Sequence, residues 1–366
     1  MRIECIVMER NNQNKIKVLF ILPNCLGGSE HVLITIAKYL NRDRYDVRFV
    51  VVAATTKDIK KILPPNYNIH HIYIRNIWDF TTYKLVKLMK KEKPNIVFSS
   101  LIYLNARVIL SAKIVGNIKI IIRNNISYND AKRDCKLLVR LSYKYSDVII
   151  SQQDEMTNEL LEILHLPHYK IKTLYNPLDT LLIDENIKEP SPYKDNEKKT
   201  IFVWTGRIAP EKGQDVLINA FKIVNDQIPN AHLYFIGKFS DKDSYYRTLI
   251  SLIETYKLTE RIHFMGFDRN PHRWIKHADC FIQPSRKEGL PNALIEAMYI
   301  GVPVVATRCV NIIDRIITEG YNGYIVNPDC INYMAEAMIK ALKLKDFSIT
   351  YKGATKEDFQ KVFEII

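Results

Sequence analysis

Short β-branched runs alternate with amphipathic helical patterns along almost the whole 366-residue chain. Residues 16–22 and 47–53 are such runs in the first half, and residues 201–205 are one in the second. This alternation is typical of βαβ units, which build parallel sheets covered by helices. Because single cores rarely grow beyond about 250–300 residues, the chain length predicts two such domains.

One stretch, residues 178–198, lacks periodicity and collects Asp, Glu, Lys and Pro, which is the composition of a linker. We therefore predict an α/β fold with a first Rossmann-like domain over residues 1–178 and a linker over 179–199. A second Rossmann-like domain is expected over 200–350 and a helical tail over 351–366. Ligands of doubly wound sheets bind beyond the carboxyl ends of the strands, so the domains are expected to face each other across a cleft.

The bulk composition, with 47% hydrophobic and 25% charged residues, is that of a globular protein. Its apolar runs are far shorter than the roughly 20 residues that span a bilayer. The N-terminal residues are charged and lack the apolar region of a secretory signal. The six cysteines are scattered without a Cys-x-x-Cys pair, which argues against a zinc site or a disulfide framework. A cytoplasmic protein is expected.

The net charge of +13 is concentrated in the first half of the chain, where residues 1–180 hold 28 Lys and Arg against 16 Asp and Glu. This asymmetry predicts an anionic partner, unless it only reflects a lysine-rich proteome. Nucleic acid is disfavoured because the lysine run at 90–93 lacks interleaved aromatic residues. The basic helical pattern at 131–145 interleaves cations with leucines, which fits peripheral binding to an anionic membrane surface. A core helix with a solvated face would show a similar pattern.

The segment SRKEGLPNALIEAM, residues 285–298, combines two glutamates with a predicted helix N-terminus. Pro291 suits the first helical turn and Gly301 suits the stop, so the helix is expected over about 291–300. Gly289 and Leu290 then form the loop that leads into it. The N–H groups of the first turn would be free to bind an anion; they belong to Asn292, Ala293 and Leu294.

The two glutamates of this segment, Glu288 and Glu296, would repel an anion and suit neutral hydroxyl groups instead. A ligand with a central diphosphate and sugars at both ends fits this arrangement, which indicates a nucleotide-sugar. A second segment, VWTGRIAPEKG at 203–213, ends a strand at Gly206 and supplies Arg207 and Lys212, which could clamp the diphosphate. Taken singly, each segment is also consistent with ordinary surface residues.

Together these segments resemble family-4 retaining glycosyltransferases of the two-Rossmann GT-B fold. The similarity includes Gly-Arg-x4-Lys-Gly after a strand, Glu-Gly-Leu-Pro-Asn-Ala-Leu-Ile-Glu-Ala-Met about 80 residues later, and further stretches at 27–30, 174–179, 301–306 and 320–324. It covers nearly the whole chain and is most specific in the second half. The sequence resembles in particular enzymes of bacterial capsule, lipopolysaccharide O-antigen or lipid-linked oligosaccharide assembly.

The resemblance implies roles for the matching residues. Arg207 and Lys212 would hold the donor diphosphate, Glu288 the donor sugar and Glu296 the ribose, while first-turn amides would touch phosphate. Further donor contacts are implied at Gly28, Gly206, Gly266 and Phe267. The expected reaction moves a hexose or N-acetylhexosamine from a UDP- or GDP-sugar, with retention, to a growing and lipid-linked glycan.

One departure from the family pattern is the absence of a histidine between Ser99 and Tyr128. Arg123 and Asn124 follow a strand there and are expected near the donor sugar or acceptor, although tight strand-end packing explains them almost as well. A nucleotide-sugar 2-epimerase of similar build and a catalytically silent partner subunit remain alternatives.

No cofactor or metal is expected, since Arg207 and Lys212 would supply the positive charge. Asp241 and Asp243 imitate an Asp-x-Asp metal motif but precede a helix, where Asp favours capping. The pair His70-His71 is expected in a loop without further metal ligands.

Overall fold

The computed structural model of the chain describes residues 15–24, 28–57, 59–74, 81–129, 131–193, 199–345, 347 and 353–365. The chain forms two compact units. The first unit comprises Met1–Pro177 and Gly353–Ile366, and the second comprises Leu178–Lys352.

The first unit is built on a seven-stranded sheet in which all the strand pairs are parallel. Its strand order is β3-β2-β1-β4-β5-β6-β7, so the order reverses between β1 and β4 as in Rossmann-like sheets. The strands are β1 (Ile16–Leu22), β2 (Tyr45–Ala53), β3 (Asn68–Tyr73), β4 (Ile96–Ser99), β5 (Lys119–Asn124), β6 (Val148–Ser151) and β7 (Ile171–Thr173).

Helices cover both faces of this sheet. The helix α1 (Gly28–Tyr39) contributes Val32 and Ile36 to the core on one face. Four helices contribute to the core on the other face, through residues such as Leu85, Val139 and Leu160. They are α2 (Thr81–Glu92), α3 (Ile102–Val115), α4 (Arg133–Ser142) and α5 (Asp154–Glu162). Burial on both faces explains why the strands are apolar runs without alternation.

The second unit repeats this architecture on a six-stranded parallel sheet with the order β10-β9-β8-β11-β12-β13. Its strands are β8 (Thr200–Thr205), β9 (Ala231–Ile236), β10 (Ile262–Gly266), β11 (Cys280–Gln283), β12 (Val304–Thr307) and β13 (Gly323–Val326). Its helices are α6 (Thr180–Asn186), α7 (Gln214–Gln227), α8 (Ser244–Thr255), α9 (Pro271–Lys276), α10 (Asn292–Ile300), α11 (Ile313–Ile316) and α12 (Ile331–Ala341). The predicted fold class, two Rossmann-like domains, is confirmed.

The stretch predicted to be a linker is partly folded onto the second unit. It contains α6, and the Tyr299 hydroxyl donates to the Asp184 carboxylate over 2.9 Å. Tyr193 is buried, and its hydroxyl donates to the carbonyl of Trp274 over 2.7 Å. The charged composition of the stretch is misleading, because its few apolar residues are enough to anchor it.

The last helix, α13 (Lys356–Glu364), packs into the first unit and does not extend as a separate tail. Its capping box joins Thr355 and Asp358, and its apolar face buries Phe359 and Phe363. The ring of Phe363 stacks 5.9 Å from that of Phe98 on β4. The chain therefore returns to its first domain after completing the second.

Two local predictions are settled by the structure. His70 and His71 lie in the strand β3 and not in a loop, and the His71 ring bonds the Ala53 carbonyl over 2.9 Å. Asp243 caps α8 as expected, because its carboxylate accepts from the Tyr245 amide over 2.9 Å. Across the described part of the chain, no group of three or more His, Cys, Asp or Glu is placed to hold a metal ion.

Candidate functional site

The second unit brings two predicted segments together at the carboxyl edge of its sheet. The loop after β8 carries Gly206, Arg207 and Lys212, and the loop after β11 carries Glu288. β8 and β11 are neighbours in the sheet, and the strand order reverses between them. This switch point is where open α/β sheets bind ligands.

The centre of the site is an ion pair between Lys212 and Glu288. The lysine Nζ lies 2.7 Å and 2.8 Å from the two carboxylate oxygens of Glu288, whose side chain is only 8% exposed. Gln283 and Ser285 each donate to the same Glu288 oxygen over 2.7 Å, and Gln283 also donates to the Ser285 hydroxyl. The carboxylate is thus held in one orientation by three donors.

The charge of Glu288 also affects the pKa of a nearby thiol, that of Cys309. Burial and then the charge of Glu288 raise the pKa of Cys309 to about 11. The thiol therefore stays neutral near pH 7 and is a poor nucleophile.

Glycines allow the two loops to approach closely. Gly213 has a φ of +70°, and a Cβ at this position would lie 2.0 Å from the carbonyl oxygen of Pro284 in the other loop. A Cβ at Gly237, after β9, would lie 1.7 Å from the carbonyl oxygen of Gly206. Only glycine fits these two positions. The role of Gly237 was not predicted, although a glycine at a strand end is a signal for close backbone approach.

Arg286 braces the two loops and was also not predicted. Its guanidinium forms a two-pronged ion pair with Asp215, over 2.9 Å and 2.7 Å, and donates to the Pro210 carbonyl over 2.7 Å. It also pairs with Asp329 over 2.7 Å. These contacts raise the pKa of Arg286, with the hydrogen bond to Asp215 as the largest cause. Burial opposes ionisation of Asp215, but hydrogen bonds from Arg286 and Tyr245 outweigh it and lower the pKa of Asp215.

Arg207 lies apart from the central ion pair. Its side chain is 69% exposed and pairs with Glu211 over 2.5 Å. Such an exposed pair contributes little stability, so the guanidinium can exchange Glu211 for another anion. Both cations predicted to hold a diphosphate thus lie in one loop, but each has a carboxylate partner in this structure.

The helix α10 begins one residue later than expected, and Pro291 is its N-cap. Two of the three amides predicted to be free donate to nearby carbonyls. The Asn292 amide bonds Leu290 over 3.0 Å, and the Leu294 amide bonds Pro291 over 3.1 Å. This tight turn satisfies its own donors, so Ala293 is the amide of the three that stays a candidate for phosphate. Gly301 ends the helix with a φ of +86°, as predicted.

Glu296, in the second turn of α10, contacts a histidine that the sequence motifs did not indicate. The His272 Nε2 lies 3.3 Å from the Glu296 carboxylate, and its Nδ1 lies 2.9 Å from the Asn186 amide nitrogen. This chain of contacts orients Glu296, whose side chain remains 28% exposed.

Gly266 ends β10 and Phe267 follows it, two strands away from β8 at the same edge of the sheet. Gly266 has a φ of +77° with open space around it. Phe267 and Met265 are 39% and 46% exposed, so they offer an apolar surface on which a planar ring could stack.

In the first unit, the carboxyl edge of the sheet holds a buried polar network next to the switch point. Arg123, at the end of β5, is 1% exposed and donates to Ser100 over 3.0 Å, to Gln152 over 2.5 Å and to Asn176. Asn124 is 2% exposed and accepts from the Tyr143 hydroxyl. Direct ligand contact by Arg123 and Asn124 stays a prediction, and their burial favours strand-end packing.

The start of α1 lies beside this network. Gly28 is exposed there, and Ser29 contacts the Ser100 hydroxyl over 3.3 Å and accepts from Asn125 over 3.1 Å. Gly27, the other glycine of this loop, falls outside the described residues. Within the described helices, none is long and apolar enough to cross a membrane.

Two family models match the chain. Residues 26–181 match the model described as Glycosyltransferase Family 4, and residues 185–357 match the model described as Glycosyl transferases group 1. The two matches leave only the ends of the chain and a three-residue gap uncovered.

Individual relatives give the same result. An uncharacterized glycosyltransferase of Methanocaldococcus jannaschii is 32% identical over 254 residues, which are 64% of this chain and 61% of the relative. The N-acetylgalactosamine-N,N'-diacetylbacillosaminyl-diphospho-undecaprenol 4-alpha-N-acetylgalactosaminyltransferase of Campylobacter jejuni is 24% identical, over 92% of this chain and 93% of its own.

Among solved structures, that of Anabaena Alr3699/HepE in complex with UDP and glucose superposes with a TM-score of 0.75. The match covers 90% of each chain at 18% identity, so it shows a shared fold.

Proposed function

Because this chain belongs to the family-4-like glycosyltransferases of the GT-B fold, we propose that it transfers a hexose or N-acetylhexosamine from a UDP- or GDP-sugar. The acceptor is a growing lipid-linked glycan, and the new bond keeps the anomeric configuration of the donor. The observation that carries the proposal is the Lys212–Glu288 ion pair at the switch point of the second sheet. Hydrogen bonds from Gln283 and Ser285 hold its carboxylate in place.

The proposed chemistry is a substitution at the anomeric carbon of the donor. The bond between the anomeric carbon and the diphosphate oxygen breaks, and its electron pair leaves with the oxygen. A bond forms from that carbon to the acceptor hydroxyl, whose proton passes to the departing diphosphate. Lys212 and Arg207 stabilise the negative charge that develops on the diphosphate, and such electrostatic stabilisation supplies most of the rate enhancement in many enzymes. The reaction then needs no metal ion.

The remaining residues bind the ends of the donor. Glu288 accepts hydrogen bonds from hydroxyls of the transferred sugar, and Glu296, oriented by His272, accepts from the ribose. The Ala293 amide at the start of α10 contacts phosphate. Phe267, beside Gly266, contacts the base, and Gly28 in the first unit contacts the phosphate or the reacting sugar.

Two observations support the acceptor class and a location at the inner face of a membrane. The Campylobacter relative is named for an acceptor linked to diphospho-undecaprenol. The first half of the chain carries a net charge of +12, from 28 basic and 16 acidic residues. Such a charge suits anionic lipid around a lipid-linked acceptor.

The test is a transfer assay with the full chain, a panel of UDP- and GDP-sugars, a polyprenyl-diphosphate-linked acceptor and EDTA. We expect one donor to give product, with the donor's anomeric configuration seen by NMR. An inverted product would remove the retaining mechanism, and failure in EDTA with rescue by Mg²⁺ would remove metal independence. Release of nucleotide and an epimerised sugar in the absence of acceptor would indicate a 2-epimerase instead.

A further inference from the structure

The outer surface of α3 and α4 carries four aliphatic side chains that are more than half exposed. Leu110 and Ile114 are 53% and 55% exposed on α3, and Leu137 and Leu141 are each 59% exposed on α4. The members of each pair are four residues apart, so they lie on one side of their helix. Since α3 packs against α4 on the same face of the sheet, both pairs point away from it. We call these four residues the α3–α4 ridge.

Exposed cations surround the α3–α4 ridge. Arg133, Arg140 and Lys144 recur at helical spacing with the two leucines of α4, on the same side. Lys113 lies between the two ridge residues of α3. The neighbouring helix α2 adds further exposed cations, which are Lys87, Lys90 and Lys91.

Among the helices of the first unit, the positive charge is concentrated on α2, α3 and α4. Helices α2, α3 and α4 carry nine Lys and Arg against two Asp and Glu, and one of those acids, Glu92, is buried against Arg48. Helices α1 and α13, on the opposite face, carry three Lys and Arg against four Asp and Glu. A chain that was merely lysine-rich would show no such difference. The acidic helix α5 bounds the basic region towards β7.

We propose that the α3–α4 ridge and its cations form a membrane-docking surface whose partner is an anionic lipid bilayer. The ridge enters the boundary between headgroups and acyl chains, and the cations meet lipid phosphates, as in interfacial amphipathic helices. Long Lys and Arg side chains can keep their charges at the headgroups while their stems cover the apolar ridge. The proposal rests on the proposed function, because a lipid-linked acceptor requires an enzyme that works at a bilayer.

A bilayer fits this surface better than a protein partner does. Anchors of protein interfaces are enriched in Trp, Tyr and Arg packed in pockets, whereas the ridge is aliphatic and projects outwards. Two exposed tyrosines belong to neighbouring segments, Tyr83 on α2 at 65% exposure and Tyr145 just after α4 at 50%. Amphipathic rings in that position suit the headgroup level.

The charge experiment compares sedimentation of the full chain with phosphatidylcholine vesicles that contain or lack phosphatidylglycerol. Wild type is expected to bind only the anionic vesicles, with affinity that falls as salt rises. The triple variant Lys113→Gln, Arg133→Gln, Arg140→Gln is expected to bind roughly 100-fold more weakly. The matched control Lys38→Gln, Lys356→Gln, Lys361→Gln removes three exposed cations from the opposite face and should bind like wild type.

The ridge experiment uses Leu137→Gln with Leu141→Gln, which removes no core contact. This variant is expected to bind anionic vesicles roughly 10-fold or more weakly, with a deficit that persists at high salt. Leu181→Gln in the second unit, where the side chain is 82% exposed, is the control and should bind normally.

The outcomes separate this inference from the proposed function. The charge variant and the ridge variant should both keep wild-type transfer to a short soluble acceptor. Wild-type protein that ignores anionic vesicles at low salt would overturn the docking surface, even if transfer is seen. The docking surface would also be overturned if the ridge mutations left vesicle binding intact but abolished self-association. Loss of binding to an acidic protein with intact vesicle binding would overturn it too. Vesicle binding without transfer from any donor would instead contradict the proposed function alone.

Discussion

The two sheets have the same strand order around their switch points, but their carboxyl edges are built differently. The second unit places opposite charges there, with Lys212 against Glu288 and Arg286 against Asp215. The first unit places Arg123 against the neutral side chains of Ser100, Gln152 and Asn176. Lys212, Arg286 and Asp215 are 22%, 31% and 33% exposed. Glu288 is 8% exposed and Arg123 only 1%.

This difference indicates that the edge of the second sheet binds a ligand, whereas the edge of the first sheet holds the strands in place. Charges that are oriented but reachable can be redirected to a ligand with little rearrangement. A buried guanidinium surrounded by amide and hydroxyl oxygens fixes the ends of β4, β5 and β6 relative to each other. One topology thus serves two purposes, and the loops at the strand ends decide which.

The largest expected effect is on the charged edge. Lys212→Ala and Glu288→Ala should each reduce kcat/KM for transfer by about 10²- to 10³-fold, because each removes a group placed at the reacting centre. The control is Lys222→Ala on α7, a partly exposed lysine paired with Asp226. Near-wild-type turnover by either site variant, with unchanged circular dichroism, would remove the site assignment.

Arg123→Gln tests whether Arg123 stabilises the carboxyl edge of the first sheet. Its loss leaves buried acceptors without their donor and should lower the free energy of unfolding by about 3 kcal/mol. Arg44→Gln, which removes a surface ion pair with Glu364, should cost less than about 1 kcal/mol in the same urea titration. Unchanged stability together with a large rise in KM for the acceptor would show that Arg123 is a ligand-binding residue after all.

Loss of Arg286, which joins the two loops of the site, should reduce transfer less than loss of Lys212 or Glu288. Arg286→Ala should lower kcat/KM about 10-fold by loosening Lys212 and Glu288, and Arg286→Lys should recover part of it. In a double-mutant cycle with Asp215→Asn, the two losses should be clearly non-additive. Arg308→Ala, which breaks an exposed pair with Asp314, is the control. Additive losses would mean that Arg286 and Asp215 act separately.

The smallest effect concerns acid stability of the second unit. His232 and His263 stack with their rings 5.3 Å apart and share a hydrogen bond of 3.0 Å. Burial, followed by the charges of Lys199, His263 and Arg261, lowers the pKa of His232 to about 4. Burial, followed by the charge of Lys199, lowers the pKa of His263.

The sign of the pH effect follows from these shifts. Unfolded histidines bind protons near pH 6.5, so this pair contributes full stability above that pH and loses it as pH falls towards 4. The unfolding transition of the second unit should drop by roughly 2–4 °C between pH 7 and pH 5.5. His232→Gln should reduce this dependence, and an unchanged dependence in that variant would contradict the assignment.

The sequence predicted the strands well where apolar runs are buried on both faces, as in Ile16–Leu22. It missed β3, whose residues Asn68–Tyr73 form a polar edge strand, because burial on one side leaves a weak pattern. Hydrophobic periodicity reports burial, so an element that is mostly exposed escapes it.

The candidate site shows a similar limit. Motif spacing placed Lys212 and Glu288 in one site, but the contact of Arg286 with Asp215 joins residues 71 positions apart. Nor does spacing show whether an amide is free. The Asn292 and Leu294 amides are satisfied by local carbonyls, which depends on the turn geometry at Pro291.

The most direct test of the charged edge is calorimetric titration of wild type, Lys212→Ala and Glu288→Ala with the free nucleoside diphosphate and with the preferred nucleotide-sugar. Lys212→Ala should weaken binding of both ligands, because it removes a cation from the diphosphate. Glu288→Ala should bind the free diphosphate at least as well as wild type but lose the extra affinity that the sugar provides. Equal affinities of all three proteins for both ligands would contradict the assignment of Lys212 and Glu288 to the donor site.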